Sequence, residues 1–135
     1  MGQIIGLDTS IFIYAFEDLG AVADASVSIL KEIETGRSVG VFSLIGMIEL
    51  FTGPKIDGNY GLAAEYKNRL YNYPNLLIIN LSDDIADIAS SLRAEYGLLT
   101  PDAIHIATAI DSGADRFITN DKSLKKVKEI KIELL

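Results

Sequence analysis

The sequence predicts an α/β fold built on a mostly parallel sheet. Short apolar segments of strand length alternate along the chain with longer segments whose apolar residues recur at helical spacing. This alternation is typical of units in which a helix carries the chain back to begin the next parallel strand. The 135 residues suit one domain, and the hydrophobic content of 49% is enough for a sizeable core. We therefore expect residues 1–135 to form a single domain.

Five short apolar segments, each bounded by turn residues or charges, are predicted to be strands. The third segment, Leu76 to Ile79, is continuously apolar, which is typical of a strand that is covered on both faces of a parallel sheet. The predicted strands are residues 3–7, 39–42, 76–79, 116–119 and 130–134.

The intervening segments are predicted to be helices, and several carry recognisable end signals. Ser82 is an N-cap residue, Pro101 lies in the first turn of the last long helix, and Gly36 follows a clear amphipathic segment. The pair Gly53-Pro54 is predicted to end a helix and to begin a glycine-rich loop over 53–61. The predicted helices are one that begins at Thr9 or Ser10, then 21–35, 44–52, 62–71, 82–96, 100 to near 113, and a short helix at 121–127.

The composition excludes several classes of site. The chain has no cysteine, so it forms neither disulfides nor thiolate metal sites, and with a single histidine a zinc site would need mostly carboxylate ligands, which zinc uses less often. Residues 1–121 hold 7 basic and 17 acidic residues, which argues against passive binding of a polyanion, whereas residues 122–135 hold 5 lysines. With neither a signal peptide nor an apolar stretch of transmembrane length, we expect a cytoplasmic protein without membrane attachment.

Four carboxylates occupy positions that need an explanation. Asp8 follows the first predicted strand and Asp121 follows the fourth, while Glu49 lies in the apolar helix LIGMIELF and Asp102 opens the apolar helix TPDAIHIATAI. Reactive groups of such sheets gather at the carboxyl ends of the strands, where we expect these acids to meet. Each acid also has a plainer interpretation. Asp8 and Asp121 are suitable helix caps, Asp102 suits a helix dipole, and a buried Glu49 needs only a partner.

Gathered carboxylates repel one another, and divalent cations relieve that repulsion. Mg²⁺ and Mn²⁺ prefer oxygen ligands, and the usual chemistry of such a site is phosphodiester hydrolysis, with metals activating water and stabilising the leaving oxygen. The sequence therefore predicts a Mg²⁺ or Mn²⁺ site in which Asp8 and Asp102 hold the first metal. Glu49 and Asp121 are predicted to orient waters or to complete a second site.

The segments LDTSIFIYAF, IEL, TPDAIHIATA and TND, in this order, resemble the motifs of PIN-domain ribonucleases, particularly the VapC type of toxin. The resemblance covers essentially the whole chain. It implies a three-layer α/β/α sandwich around a mostly parallel sheet of about five strands, Mg²⁺- or Mn²⁺-dependent cleavage of RNA, a homodimer and an antitoxin partner. It assigns the acidic metal site to Asp8, Glu49, Asp102 and Asp121. Polar residues at the supporting positions are Thr9, Ser10, Thr119 and Asn120.

Other interpretations remain open at this point. A catalytically degenerate PIN fold that serves as an RNA-binding or scaffold module would look similar. A haloacid dehalogenase-like phosphotransferase would need a second acid at position 10, where Ser10 stands, and a receiver domain would need an acid after the third strand, where Asn80 stands. His105 lies one turn after Asp102; a metal-ligand or base role is compatible with that position, but a hydrogen-bonded structural histidine is the favoured interpretation.

Overall fold

The computed structural model describes residues 2–17 and 20–135. Strands and helices alternate as predicted, and all strand pairs in this part of the chain are parallel. The elements are β1 (Gln3–Leu7), α1 (Thr9–Glu17), α2 (Gly20–Glu34), β2 (Ser38–Ser43), α3 (Gly46–Ile56), α4 (Tyr60–Tyr71), β3 (Leu76–Ile79), α5 (Asp83–Tyr96), α6 (Thr100–Asp111), β4 (Arg116–Thr119), a 3₁₀ helix (Lys122–Lys126) and β5 (Lys131–Leu134).

The sheet has five strands in the order β3-β2-β1-β4-β5, so β1 lies at its centre. One face is covered by α1 to α4, whose apolar side chains pack around Phe12 and Phe42. The other face is covered by α5, α6 and the 3₁₀ helix, which pack around Phe117. The structure therefore confirms the predicted three-layer α/β/α architecture, with a sheet that is wholly rather than mostly parallel among the described strands.

Helix α6 lies unusually close to the central strand. A Cβ atom on Gly6 would stand 2.4 Å from the Cβ of Ala109, so only glycine permits this approach. A helix that connects parallel strands runs antiparallel to them, so its first turn lies at the edge where the strands end. The contact between Gly6 and Ala109 thus fixes the first turn of α6, with Asp102, at the carboxyl edge of the sheet.

The prediction that Gly53-Pro54 ends a helix is wrong. Helix α3 continues through both residues to Ile56, and the predicted loop over 53–61 shrinks to the three residues between α3 and α4. A proline ring usually collides with the Cβ of the residue before it in helical conformation, and Gly53 has no Cβ. The glycine therefore allows Pro54 to lie inside the last turns of α3, where its ring is buried.

Strand β3 is less covered than its continuous apolar sequence predicts. It lies at one edge of the sheet and pairs only with β2 among the described strands, and the side chain of Leu77 is 52% exposed. The bounds of β1, β3 and β4 are those predicted, β2 is one residue longer at both ends, and β5 begins one residue later. No described helix combines the length and the apolar character needed to cross a membrane.

Candidate acidic active site at the carboxyl edge of the sheet

Asp8 lies where β1 ends, and its carboxylate is held from two sides. The hydroxyl of Thr119 donates a hydrogen bond of 2.6 Å to Oδ2, and the amide of Thr9 donates one of 2.8 Å to Oδ1. Asp8 is the residue before α1. Most N-cap side chains accept a hydrogen bond from an amide two or three residues along the helix, whereas Asp8 accepts one from the adjacent amide of Thr9. Its carboxylate is therefore fixed above the junction of β1 and β4 and keeps lone pairs on both oxygens.

Glu49 lies in the first turn of α3, and the prediction that it is buried is wrong. Its side chain is 38% exposed, because α3 turns Met47 and Leu50 towards the core and leaves Ile48 and Glu49 at the rim. Oε1 of Glu49 accepts a 2.8 Å hydrogen bond from the hydroxyl of Thr9. Oε2 accepts none from the part of the chain that the structure describes.

His105 is the second partner of Glu49. Its Nε2 lies 2.6 Å from Oε1 of Glu49 and 3.1 Å from the hydroxyl oxygen of Thr9. This hydrogen bond from His105 is the largest effect that lowers the pKa of Glu49, and partial burial of the carboxylate opposes it. An ionised carboxylate only accepts, so Nε2 must carry the hydrogen. The hydrogen-bonded histidine favoured by the sequence is thus observed.

Asp102 lies in the first turn of α6, half-buried, and accepts no hydrogen bond from the residues that the structure describes. Burial raises the pKa of Asp102, and the negative charges of Asp8, Asp121 and Glu49 raise it further, in that order. The other three acids are therefore close enough for their charges to disfavour the ionised form of Asp102. A bound cation would favour that ionised form.

Asp121 follows β4 and has a confirmed capping role. Its Oδ1 accepts hydrogen bonds from the amide of Ser123 at 2.9 Å and from the hydroxyl of Ser123 at 2.7 Å, so it caps the 3₁₀ helix. Its own amide donates to the hydroxyl of Thr119 at 3.0 Å. The cap engages Oδ1 and leaves Oδ2 without a hydrogen bond in the described structure, so capping does not exclude a role in the site.

The supporting polar residues fall into two groups. Thr9 and Thr119 contact the acids directly, as described above. The side chain of Asn120 instead donates a 3.0 Å hydrogen bond to the hydroxyl of Tyr14, and the hydroxyl of Ser10 is buried and bonds none of the described residues. The structure therefore brings Thr9 and Thr119 to the acids and directs Ser10 and Asn120 elsewhere.

The donor set fits a hard divalent cation. The carboxylates of Asp8, Glu49, Asp102 and Asp121 supply oxygen ligands, which Mg²⁺ and Mn²⁺ prefer, and Asp102 is left without any hydrogen-bond donor among the described residues. As the side chains lie, no three acids or histidines in residues 2–17 and 20–135 stand close enough to hold one ion. Binding of one ion by several of these carboxylates would therefore require their side chains to move closer together.

The sequence could not reveal the pairing of Glu49 with His105. The two residues lie 56 positions apart, and no spacing rule connects them. The spacing of Asp102 and His105 by three residues does place both on one side of α6. Because Asp102 is expected at the site, this spacing indicates that His105 also lies near it.

Comparisons with solved structures show the same fold over nearly the full length of the chain. VapBC2 from Rickettsia felis, solved bound to a DNA fragment from its promoter, matches with a TM-score of 0.76 at 22% identity and covers 97% of this chain and 98% of that one. A toxin–antitoxin complex from Klebsiella pneumoniae matches with a TM-score of 0.71 at 27% identity, covering 96% and 95%. VapC20 of Mycobacterium tuberculosis, a sarcin–ricin loop cleaving toxin, matches with a TM-score of 0.68 at 15% identity, covering 95% and 98%.

Sequence comparison agrees with the structural one. Curated proteins gave no match. The PIN domain family matches residues 5–130, a span that runs from β1 to the residue before β5 and includes all four acids. The chain therefore belongs to the PIN domain family.

Proposed function

We propose that this chain is a metal-dependent endoribonuclease that hydrolyses phosphodiester bonds of single-stranded or structured RNA in the cytoplasm, with residues 1–135 acting as one nuclease domain. The observation that carries the proposal is the placement of four carboxylates from different elements at the carboxyl edge of the sheet, where burial raises the pKa of Asp102 and the charges of the other three acids raise it further. Membership of the PIN domain family supports it, and so does the structural similarity to an RNA-cleaving toxin.

Asp8 and Asp102 would hold a Mg²⁺ or Mn²⁺ ion, and Glu49 and Asp121 would complete a second site or orient water. Such an ion, when bound, makes water more acidic and stabilises negative charge on phosphate oxygens. The chain's own contribution is orientation. Thr119 fixes the carboxylate of Asp8, and Ser123 fixes that of Asp121, so that neither must be ordered when substrate arrives.

The acidic body of the protein does not attract RNA, so approach of the strand needs local positive charge. The 3₁₀ helix begins directly after Asp121 and carries Lys122, Lys125 and Lys126. Lys125 is tied to the carbonyl of Ile132 at 3.3 Å, whereas the side chains of Lys122 and Lys126 are exposed. We assign contact with RNA phosphates to Lys122 and Lys126.

We also propose that two copies of the chain form a homodimer. An apolar depression beside the site, here called the Leu81 surface, includes two strongly exposed side chains, Ile48 at 67% and Leu81 at 57%. A second copy would cover this surface and remove apolar area from water. The Leu81 surface comprises Leu44, Ile45, Met47, Ile48 and Leu81.

The structural neighbours include proteins solved with their antitoxins. We therefore extend the proposal to a toxin of a toxin–antitoxin pair, which an antitoxin protein would neutralise. Induced expression in a bacterial host should arrest growth for the wild type and not for Asp8→Asn. Arrest by both forms would separate growth inhibition from the acidic site and would contradict this part of the proposal.

Cleavage of RNA tests the central part of the proposal. Purified protein is incubated with defined single-stranded and hairpin RNAs in Mg²⁺ or Mn²⁺, with and without excess chelator. We expect cleavage with metal, none with chelator, and none for Asp8→Asn. Asp111→Asn is the matched control, because Asp111 is an exposed acid at the opposite end of α6 from Asp102. Cleavage that persists in chelator, or intact RNA under every metal condition, would contradict the proposal.

A further inference from the structure

We propose that His105 is a positioning residue for Glu49: together with Thr9 it holds one carboxylate oxygen of Glu49, so that the other is presented to the acidic site. The inference rests on the proposed function, and it assigns a role to the chain's single imidazole. His105 acts only through Glu49 and touches neither metal nor RNA.

Two donors converge on a single oxygen of Glu49. Nε2 of His105 lies 2.6 Å from Oε1, and the hydroxyl of Thr9 lies 2.8 Å from the same atom. Oε2 accepts no hydrogen bond within the described ranges. Two donors on Oε1 restrict rotation of the carboxylate, which an exposed glutamate on the first turn of a helix would otherwise undergo. The arrangement leaves Oε2 available as a ligand or as an acceptor for water.

The imidazole is itself held in place. His105 is 2% exposed, and its ring stacks on that of Phe42 with the planes 10° apart and the centroids separated by 5.8 Å. Phe42 in turn lies against Gly46, where a Cβ would stand 2.1 Å from Cζ of Phe42 and 2.9 Å from the hydroxyl oxygen of Thr9. Gly46 therefore lets the first turn of α3 approach both Phe42 and Thr9, which brings Glu49 within reach of His105.

The alternative is that His105 only fills space in the core. Its Nδ1 is buried and has no hydrogen-bond partner within the structure described, and an unpartnered buried polar atom costs free energy. A leucine would fill similar volume without that cost. What histidine adds to the position is a donor at Nε2, and that donor is directed at Glu49. The unpartnered nitrogen therefore favours a positioning role over simple packing.

Two amide substitutions separate the donor from the ring. In His105→Gln the side-chain amide reaches the place of Nε2 and can donate to Glu49, whereas in His105→Asn it reaches only the place of Nδ1. Affinity for Mn²⁺ is measured by titration calorimetry on the wild type and on both variants, after thermal unfolding has shown that each is folded. We expect His105→Asn to weaken Mn²⁺ binding by roughly ten- to a hundredfold, as loss of a residue that orients a ligand does, and His105→Gln to restore most of it.

A double-mutant cycle shows whether the effect passes through Glu49. If His105 acts by holding Glu49, then His105→Asn should change Mn²⁺ affinity little in a Glu49→Gln background, because the carboxylate that it orients is already gone. A packing role would weaken binding equally in both backgrounds, and that additive result would overturn the inference, as would equal affinities of the wild type and His105→Asn. Failure of the wild type to bind Mn²⁺ or to cleave RNA would instead contradict the proposed function, so the two failures are distinguishable.

Discussion

The hydroxyl of Thr119 donates a 2.6 Å hydrogen bond to Oδ2 of Asp8 and thereby joins the ends of the adjacent strands β4 and β1. The same hydroxyl oxygen accepts a 3.0 Å hydrogen bond from the amide of Asp121. One fully buried side chain thus connects two of the four acids. The spacing of Asp8 and Asp121 is consequently fixed by a strand residue and not by the flexible carboxylates themselves.

Thr119→Val should destabilise the protein and weaken Mn²⁺ binding. Valine has nearly the same shape, but it removes the donor to Asp8 and leaves the amide of Asp121 without its acceptor. A hydrogen bond to a charged group contributes about 2 kcal/mol, which we expect as the loss in free energy of unfolding in urea. Thr35→Val, at an exposed position, is the control and should change stability by less than about 0.5 kcal/mol. Equal losses of unfolding free energy in Thr119→Val and Thr35→Val would show that the hydrogen bond from Thr119 to Asp8 does not stabilise the fold more than an exposed one.

Asp102→Asn should stabilise the metal-free protein at neutral pH. The pKa of Asp102 is raised above its usual 3.8 by burial and by the neighbouring acids, so between these two pKa values the folded state binds more protons than the unfolded state. The free energy of unfolding contributed by Asp102 therefore falls as pH rises through that window. We expect urea unfolding in chelator to show that the free energy of unfolding of the variant, relative to that of the wild type, increases from acidic to neutral pH. If the wild type instead becomes more stable relative to the variant over this pH range, the repulsion between Asp102 and the other acids is contradicted.

Gly46→Ala should disturb both the fold and the position of Glu49. The added methyl would overlap the ring of Phe42 and press on Thr9, and overpacking of this kind costs about 1–3 kcal/mol. Gly61→Ala is the control, because Gly61 also lies in a helix and its Cβ would meet only an ordinary contact at 3.8 Å. That variant should gain up to about 1 kcal/mol in unfolding free energy. Similar stability changes for the two variants would mean that Gly46 is not needed for the close approach.

Leu81→Glu should convert a homodimer into monomers. Leu81 is an exposed member of the Leu81 surface, and a charge there cannot be desolvated by a second copy without a large cost. Leu77→Glu is the matched control, since Leu77 is 52% exposed on the edge strand β3 and lies outside that surface. Light scattering should report a dimer for the wild type and for Leu77→Glu. A wild-type monomer at high concentration, or a dimer for both variants, would remove the Leu81 surface as the interface.

The positions of the acids along the fold could be predicted because they depend on local signals. Asp8 and Asp121 follow short apolar strands, and Asp102 follows a proline in a first helical turn, so the elements themselves bring these residues to one edge. Parallel strands end at a common edge whatever the details of side-chain packing. The α/β class and the placement of these three acids at one edge therefore followed from periodicity and spacing, whereas the three-layer arrangement was implied by the resemblance to PIN domains.

What the sequence did not reveal depends on packing between distant segments. The apolar neighbours of Glu49 indicated burial, yet α3 sits at the rim of the site and leaves that side chain partly exposed. The pair Gly53-Pro54 is a typical stop signal, but the glycine has no Cβ to collide with the proline ring, so α3 continues through both residues. The pairing of His105 with Glu49 arises only where α3 and α6 meet, and no local pattern records it.

Titration of the purified protein with Mn²⁺ in a calorimeter tests the central claim, that the gathered carboxylates bind a divalent cation, most directly. The wild type, Asp102→Asn and Asp111→Asn are compared under identical conditions, with Asp111 providing an exposed acid at the far end of the same helix. We expect saturable binding to the wild type and to Asp111→Asn, and at least about tenfold weaker binding to Asp102→Asn. Asp102→Asn lacks the carboxylate that lies within reach of the charges of the other three acids. Equal affinity in all three proteins, or no binding to the wild type, would contradict the account.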